Sequence, residues 1–312
     1  MPEIRKPKHL RPNATFGVIA PASPVNEEKL EKGIRYFERL GYRLELGKSV
    51  FKSSPYLAGT DEERLADLHE MFRRPDIDAI ICARGGYGTP RLLDRVDYEL
   101  IRKNPKIFIG YSDLTALQLA IFKKAGLVTF SGPMLAVEFA ADDVNQMMES
   151  SFWRIISEPV AAGALPPLKQ GAYEVLCDGQ AQGRLLGGCL ALVNCLFGSD
   201  FLPDFSNSLL FIEDVGEIPM RIDRYLAQMR NAGIFQKTNG IICGRFEESE
   251  TEDGSHGLLN LMLEDYFSEF GKPVFNKFDY GHIPLKHTMP LGVMAKMVTS
   301  TGTIEIIESA VS

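Results

Sequence analysis

The chain has few cysteines, and none of them forms a C-x-x-C pair. There are five among 312 residues, which is an odd number. Most of them lie within apolar runs, a pattern typical of buried free thiols in a reducing compartment. This argues against a disulfide-stabilised secreted protein and favours a cytosolic location. The five are Cys82, Cys177, Cys189, Cys195 and Cys243.

Long apolar runs are also lacking. No stretch approaches the roughly 20 residues that a membrane-spanning helix requires. Charged residues and prolines occupy the first thirteen positions, so we expect no secretory signal peptide there. Both observations predict a protein without a membrane partner.

The chain lacks an excess of positive charge, and it has few histidines. Its 34 basic and 41 acidic side chains give a net charge of −7, and the sequence pI is near 5.4. This balance argues against nucleic acid as a main partner. The loop histidines His256, His282 and His287 do not follow the H-E-x-x-H spacing, so we expect no metal site.

The first half of the chain shows a regular alternation of strand-like and helical patterns. The whole chain of 312 residues is about twice as long as a usual domain, which predicts two domains. Strands separated by helices of 10–15 residues predict a parallel sheet with helices on both faces, so residues 1–158 are expected to form a doubly wound α/β domain. The expected strands are residues 15–20, 42–46, 79–83, 106–109 and 127–130.

The second half of the chain lacks the regular alternation of strand-like and helical patterns. Residues 159–171 are rich in Pro, Ala and Gly, which predicts a linker. Residues 172–312 then contain short strands punctuated by glycines, with two helical stretches at 220–231 and 257–267. We expect a smaller C-terminal α+β domain with a barrel-like core. Residues 247–253 carry five acids and are interpreted as a solvated loop.

Ser112 stands at a sharp transition from strand to helix. The apolar run ends at Gly110, and a helical pattern begins directly after the serine. Hydrolases place a serine nucleophile at such a turn, although the full G-x-S-x-G motif is missing because Leu114 occupies the second glycine position. Ser112 is equally suited to cap the helix N-terminus, and both interpretations stay open at this point.

A second loop with potential chemistry follows the third expected strand. Its glycines allow the backbone to approach a ligand, and its amides suit either a phosphate or the oxyanion of a tetrahedral intermediate. A tight turn that needs positive φ is the structural alternative. Because ligands bind at the carboxyl ends of strands in open α/β sheets, this loop and Ser112 are expected to lie close together. The segment is Ala83-Arg84-Gly85-Gly86-Tyr87-Gly88.

A serine nucleophile needs a base and a group that orients the base. His282 and His287 lie in a Gly/Pro-punctuated loop, a common place for functional residues. Glu213 is the first acid after a buried strand, where a carboxylate is costly unless it is paired or used. Asp214 and Glu217 can instead pair with arginines of the next helix, namely Arg221 and Arg224.

The chain resembles the LD-carboxypeptidases of serine peptidase family S66, the muramoyltetrapeptide carboxypeptidases, over nearly its whole length. Many motifs carry the resemblance, in one order. They are Val18-Ile19-Ala20-Pro21-Ala22-Ser23-Pro24, Tyr56-Leu57-Ala58-Gly59, Ala83-Arg84-Gly85-Gly86-Tyr87-Gly88, Ile109-Gly110-Tyr111-Ser112-Asp113, Thr129-Phe130-Ser131-Gly132-Pro133-Met134, Glu213-Asp214-Val215-Gly216-Glu217 and Gly281-His282.

The resemblance implies a Ser-His-Glu triad of Ser112, His282 and Glu213. It implies an oxyanion hole formed by the amide of Asp113 and one from Gly85 or Gly86. The implied reaction releases the terminal D-alanine of a murein tetrapeptide in cytosolic peptidoglycan recycling, without metal or organic cofactor. A cation should receive the free substrate carboxylate, and the candidates are Arg84, Arg221 and Arg224. Relatives also suggest a homodimer.

Two other functions stay open. Some family members hydrolyse a peptidyl-nucleotide antibiotic and confer self-immunity, which calls for an aromatic stacking site. The single tryptophan, Trp153, lies in the first domain, which leaves Tyr173 or Phe201 for that task. The third hypothesis is a non-catalytic protein that binds a small peptide in the interdomain cleft. One departure from the family is Cys189, where relatives often have asparagine, and we expect it to affect the cleft wall.

Overall fold

Two β-sheets organise the chain in the computed structural model, which describes residues 2–168, 173–249 and 257–312. The first sheet has six strands in the order β12-β5-β4-β3-β1-β2. Five of them run parallel, and β12 pairs antiparallel with β5. The strands are β1 (Thr15–Ile19), β2 (Arg43–Leu46), β3 (Ala79–Cys82), β4 (Ile107–Gly110), β5 (Thr129–Ser131) and β12 (Met289–Leu291).

The central strands are apolar along their whole length, because both faces of a parallel sheet are covered. Every residue of β1, β3 and β4 is buried, whereas the edge strand β2 is largely exposed. A capping box formed by Thr60 and Glu63 starts the second helix. The helices of this half are α1 (Glu27–Arg39), α2 (Asp61–Arg73), α3 (Tyr98–Lys103), α4 (Leu114–Ala125) and α5 (Gln146–Ser157).

The strand order reverses between β1 and β3, since β2 lies on one side of β1 and β3 to β5 on the other. Such a switch point opens a crevice at the carboxyl ends of the neighbouring strands, where open α/β sheets bind their ligands. The loops after β1, β3 and β4 therefore meet at one edge of the sheet.

The second sheet has eight strands in the order β6-β14-β13-β8-β9-β10-β11-β7. Its centre, from β8 to β11, is parallel, and the outer strands pair antiparallel. Its strands are β6 (Ala161–Leu165), β7 (Glu174–Cys177), β8 (Gln180–Cys189), β9 (Ser208–Val215), β10 (Gly240–Glu247), β11 (Val274–Asn276), β13 (Met294–Val298) and β14 (Thr303–Ser309).

The described part of this second half contains the helices α6 (Leu190–Asn194), α7 (Pro219–Asn231), α8 (Ile234–Lys237) and α9 (Leu258–Phe267). The prediction of a parallel α/β domain followed by a second sheet domain is confirmed. Where a barrel-like core was expected, the structure has an eight-stranded sheet. Its end strands, β6 and β7, do not pair with each other in the described part of the chain, so the sheet does not close through them.

Two segments depart from the expected domain plan. Residues 161–165 lie in the expected linker, yet they form the edge strand β6, so the linker prediction is wrong for them. Residues 169–171 of that linker, residue 172 and residues 250–253 of the acidic loop lie outside the described residues. Strand β12 comes from the second half but extends the first sheet, which ties the two halves together. No helix of the described ranges is long and apolar enough to cross a membrane.

Candidate active site

Ser112 occupies the turn between β4 and α4 with a φ of +66°. A left-handed conformation costs a non-glycine residue roughly 1–2 kcal/mol, and such strain concentrates at functional sites. The N-cap position of α4 belongs to Asp113, and no side chain caps this helix end. The capping interpretation of Ser112 is therefore wrong, and the geometry resembles the strained turn that presents a nucleophile.

The side chains of Ser112, His282 and Glu213 form a continuous hydrogen-bonded row. His282 Nε2 lies 2.9 Å from Ser112 Oγ, and His282 Nδ1 lies 2.7 Å from Glu213 Oε2. Glu213 is fully buried, and the imidazole is 18% exposed. With the proton on Nδ1 donated to the carboxylate, Nε2 is the free acceptor for the serine proton.

The backbone explains why Glu213 and His282 meet. Glu213 lies in β9 at the middle of the second sheet, and it is paired in register with Cys189 of β8. His282 follows Gly281, whose φ is +125° and where an added Cβ would lie 3.0 Å from Glu213 Oε2. Glycine at position 281 thus allows the histidine loop to close directly over the carboxylate.

The glycine loop, residues 84–88, lies against Ser112. A Cβ added at Gly85 would lie 3.1 Å from Ser112 Oγ, and one added at Gly86 would overlap Ser23 Oγ at 2.3 Å. Within the described ranges, the amides of Gly86 and Asp113 donate to no backbone carbonyl or side chain. Both amides are thus free to donate to a ligand in the cleft, and their role as an oxyanion hole stays a prediction.

Three buried side chains hold the glycine loop in place. Tyr87 N donates to Ser23 Oγ over 3.0 Å, and Thr89 N donates to Asp113 Oδ2 over 2.8 Å. The fully buried Arg64 donates from Nη1 to Gly88 O over 3.1 Å. Burial raises the pKa of the Asp113 carboxyl, and its hydrogen bonds from Thr89 and Gly88 oppose that shift. The loop is therefore preorganised by contacts from the segment after β1, from α2 and from the N-cap residue of α4.

A cleft of about 480 Å³ opens beside Ser112 and His282. This volume suits a short peptide or a comparable small ligand. The exposed cations Lys29 and Arg84 line it from the first half of the chain, and the acids Asp214 and Glu217 line it from the second half. The cleft thus joins both halves and carries opposite charges on its two sides.

The predicted substrate cations do not all lie in the cleft. Arg84 lines it, and its Nη1 donates to Pro24 O over 3.3 Å. Arg221 pairs with Glu217 over 3.3 Å on the surface of α7, as expected for a helix salt bridge. Neither Arg221 nor the exposed Arg224 lines the cleft. The pairing of Asp214 with one of these arginines is wrong, since its oxygens accept from the amides of Ala191 and Val215.

Asp214 gives a pH-dependent stability prediction. Burial, and secondarily the charge of Glu213, raises its pKa from 3.8 to about 6. Between those values the unfolded chain releases a proton that the folded chain keeps, so stability from this group falls as pH rises through 6. We expect Asp214→Asn to gain about 1–3 kcal/mol relative to the wild type between pH 4 and pH 7.5. Urea unfolding measures the free energy of unfolding of both proteins at pH 4 and at pH 7.5. The same difference between variant and wild type at the two pH values would contradict the prediction.

The aromatic side chains considered for nucleobase stacking lie elsewhere. Trp153 packs against Tyr42 and Phe152 in the first core. Tyr173 contacts Phe278, and Phe201 contacts Tyr98. The aromatic residues that line the cleft, among those described, are Tyr87 and Tyr111. In the same ranges, no group of three or more His, Cys, Asp or Glu side chains is arranged to hold a metal.

His287, the other loop histidine that the structure describes, does not join the site. His287 is buried, and its Nε2 contacts Pro166 O at 2.9 Å, while burial lowers its pKa. His256 lies outside the described residues. Cys189 lines the cleft, and burial raises the pKa of its thiol well above the ordinary value. Its side chain contacts Asp214 Oδ1 at 3.5 Å, which agrees with a role in the cleft wall.

The residues alone did not identify the side chains that support the glycine loop, Ser23 and Arg64. A serine between prolines shortly after a buried strand is a detectable signal for Ser23. Arg64 had no such signal, because charged residues in a helix usually face solvent.

Comparison with known proteins identifies relatives over the whole chain. Residues 16–132 match the family model of the LD-carboxypeptidase N-terminal domain, and residues 182–297 match that of the LD-carboxypeptidase C-terminal domain. The probable murein peptide carboxypeptidase of Bacillus subtilis is 42% identical over 98% of this chain and 95% of its own length.

Solved structures share the fold as well. The muramoyltetrapeptide carboxypeptidase of Oxalobacter formigenes has a TM-score of 0.82 and 31% identity, covering 94% of this chain and 97% of that one. A structure of MccF in complex with glutamyl sulfamoyl guanosine has a TM-score of 0.91 and 28% identity, covering 98% and 99%. The Escherichia coli protein of that name, microcin C7 self-immunity protein MccF, is 31% identical over 95% of this chain and 93% of its length.

Proposed function

Because the chain belongs to the LD-carboxypeptidase family, peptidase family S66, we propose that it is a serine carboxypeptidase acting on murein tetrapeptides. The bond hydrolysed is the L,D-peptide bond that releases the terminal D-alanine, in cytosolic peptidoglycan recycling. The observation that carries the proposal is the hydrogen-bonded row from Ser112 through His282 to the buried Glu213, at the floor of a cleft.

In the proposed reaction, Ser112 Oγ attacks the carbonyl carbon that precedes the D-alanine while His282 Nε2 takes the serine proton. Glu213 accepts the hydrogen bond from Nδ1 and stabilises the imidazolium. The amides of Asp113 and Gly86 donate to the oxyanion of the tetrahedral intermediate. The imidazolium then protonates the leaving amine of D-alanine, and water hydrolyses the acyl-enzyme in the reverse sequence. This chemistry needs no metal or organic cofactor.

The charges of the cleft fit the two ends of such a substrate. The free carboxylate of the terminal D-alanine suits Arg84, whose planar guanidinium binds carboxylates through paired hydrogen bonds. Glu217 lines the other side and is 17% exposed, so it suits the side-chain amine of a diamino acid. A carboxypeptidase needs the contact between Arg84 and the terminal carboxylate, because this contact determines which peptide bond reaches the nucleophile.

Replacing Arg84 with methionine should lower kcat/KM by about tenfold to a hundredfold, mostly through KM, because a charge-assisted pair is worth about 1.5–3 kcal/mol. Steady-state kinetics of D-alanine release measure this. Arg224→Met is the matched control, because Arg224 is an exposed arginine outside the cleft lining, and it should behave as the wild type. If Arg224→Met or Arg221→Met raises KM and Arg84→Met does not, the carboxylate binds at α7 instead.

A second candidate function is hydrolysis of an aminoacyl- or peptidyl-nucleotide. The structural similarity to MccF with bound glutamyl sulfamoyl guanosine favours it. Against it, Trp153, Tyr173 and Phe201 all lie outside the cleft lining, so none of them is placed to stack on a nucleobase there.

Mass spectrometry of the purified protein with a tetrapeptide substrate tests the proposal. A disaccharide-free muramyl tetrapeptide ending in D-alanine should lose one alanine, and the same peptide ending in L-alanine should stay intact. Glutamyl sulfamoyl guanosine serves as the third substrate. Cleavage of that compound alone would support the second candidate. Binding of the tetrapeptide without any cleavage would support the non-catalytic peptide-binding protein.

A further inference from the structure

A buried ion pair lies beneath the loop that carries His282. Lys286 Nζ is 2.6 Å from Glu138 Oε1, and the two side chains are 1% and 6% exposed. Glu138 begins a short 3-10 helix after β5, Glu138–Ala140, whereas Lys286 belongs to the histidine loop before β12. The pair therefore joins the half of the chain that holds Ser112 to the half that holds His282.

Tyr111 connects this ion pair to the imidazole. Its hydroxyl donates to Glu138 Oε1 over 2.8 Å, and Lys286 Nζ lies 3.6 Å from the centre of its ring. The ring of Tyr111 in turn packs edge-on against His282, with 5.0 Å between the ring centres. Tyr111 is also the residue directly before Ser112, so any shift of this cluster moves both partners of the 2.9 Å hydrogen bond.

We propose that Glu138 and Lys286 are positioning residues that hold His282 at hydrogen-bonding distance from Ser112, with the Tyr111 ring as the contact between them. Neither residue lines the cleft, so both act on the substrate indirectly, through Tyr111 and His282. Glu138 is itself fixed, since its Oε2 accepts from the amide of Met134 over 3.0 Å. The inference rests on the proposed function, in which His282 is the general base.

Kinetics of D-alanine release give the first readout. Lys286→Met and Glu138→Gln should each lower kcat about tenfold to a hundredfold, with KM changed less than about threefold, because misplacing a general base affects the chemical step. Tyr111→Phe keeps the ring contact and should lose less than about fivefold. Lys32→Met, which breaks the exposed Lys32–Asp142 pair, is the control and should match the wild type.

The rate at which a fluorophosphonate labels Ser112 gives a readout that does not depend on the peptide substrate. It should fall about tenfold or more in Lys286→Met, in Glu138→Gln and in the double variant, because a displaced His282 activates the serine less well. The double variant holds no unpaired buried charge, so it keeps the test valid if a single variant unfolds. Wild-type labelling rates in all three variants, or unchanged kcat in an active enzyme, would overturn the inference. Slower labelling of these variants in a protein without peptidase activity would instead refute the proposed function.

Discussion

Replacing Ser112 with alanine should lower kcat for D-alanine release by about 10⁴-fold or more while the fold stays intact. The variant keeps the cleft, both candidate oxyanion amides and the histidine, but it has no atom that can attack the carbonyl. Alanine also tolerates the left-handed conformation about as well as serine does, because both carry a Cβ at the φ of +66°. Single-turnover kinetics measure the loss of the rate of D-alanine release, and circular dichroism measures whether the fold is kept.

The control for this result is Ser150→Ala, which alters an exposed serine of α5 outside the cleft lining. It should retain full activity. A fluorophosphonate adds one label per chain if Ser112 is the activated nucleophile, and the label should be lost only in Ser112→Ala. If Ser112→Ala retains a tenth of wild-type activity in a preparation free of contaminating peptidase, the nucleophile is another group.

Local patterns predicted most strands of the first sheet, but they did not predict that β12, from the second half of the chain, joins this sheet. Buried runs such as β3 and β4 were found because a strand covered on both faces is apolar throughout. Strand β12 has only three residues and includes Pro290, so nothing in its composition indicates pairing with β5. Strand β6 escaped prediction for a similar reason, since its small residues (AAGAL) have low strand propensity.

For the candidate site, local reasoning from the residues left Ser112 undecided between nucleophile and helix cap. The φ of Ser112 argues against the cap, and its contact with His282 supports the proposed nucleophile. That contact joins residues 170 positions apart in the chain, which local patterns do not show. Sequence spacing does not tell which face of α7 meets the cleft, and of the three candidate arginines, all in the described ranges, Arg84 alone lines it. Glu138 and Lys286 could not be found at all, since their pairing joins segments separated by 148 residues.

Glu213→Gln tests the acid of the triad and should lower kcat/KM about 10³- to 10⁴-fold. A glutamine fits the same space, but its amide nitrogen can donate to His282 Nδ1, which leaves the ring proton on Nε2 and removes the acceptor for the serine proton. Oε1 of Glu213 has no hydrogen-bond partner in the described part of the chain, so no contact there prevents the amide from turning. The pH profile of kcat/KM measures this change together with its magnitude.

Variants of two neighbouring acids, Asp214 and Glu217, test whether Glu213 is the acid that orients His282. Asp214→Asn changes the next residue along β9, whose oxygens are held by the amides of Ala191 and Val215 rather than by the imidazole, and it should cost less than about tenfold. Glu217→Gln changes an acid of the cleft wall and should act through KM, because this carboxylate does not contact His282. The same kinetics on all three variants decide among them. Full activity in Glu213→Gln together with a loss of kcat in Glu217→Gln would assign the orienting acid to Glu217, whereas the 2.7 Å contact between Glu213 Oε2 and His282 Nδ1 requires the reverse order.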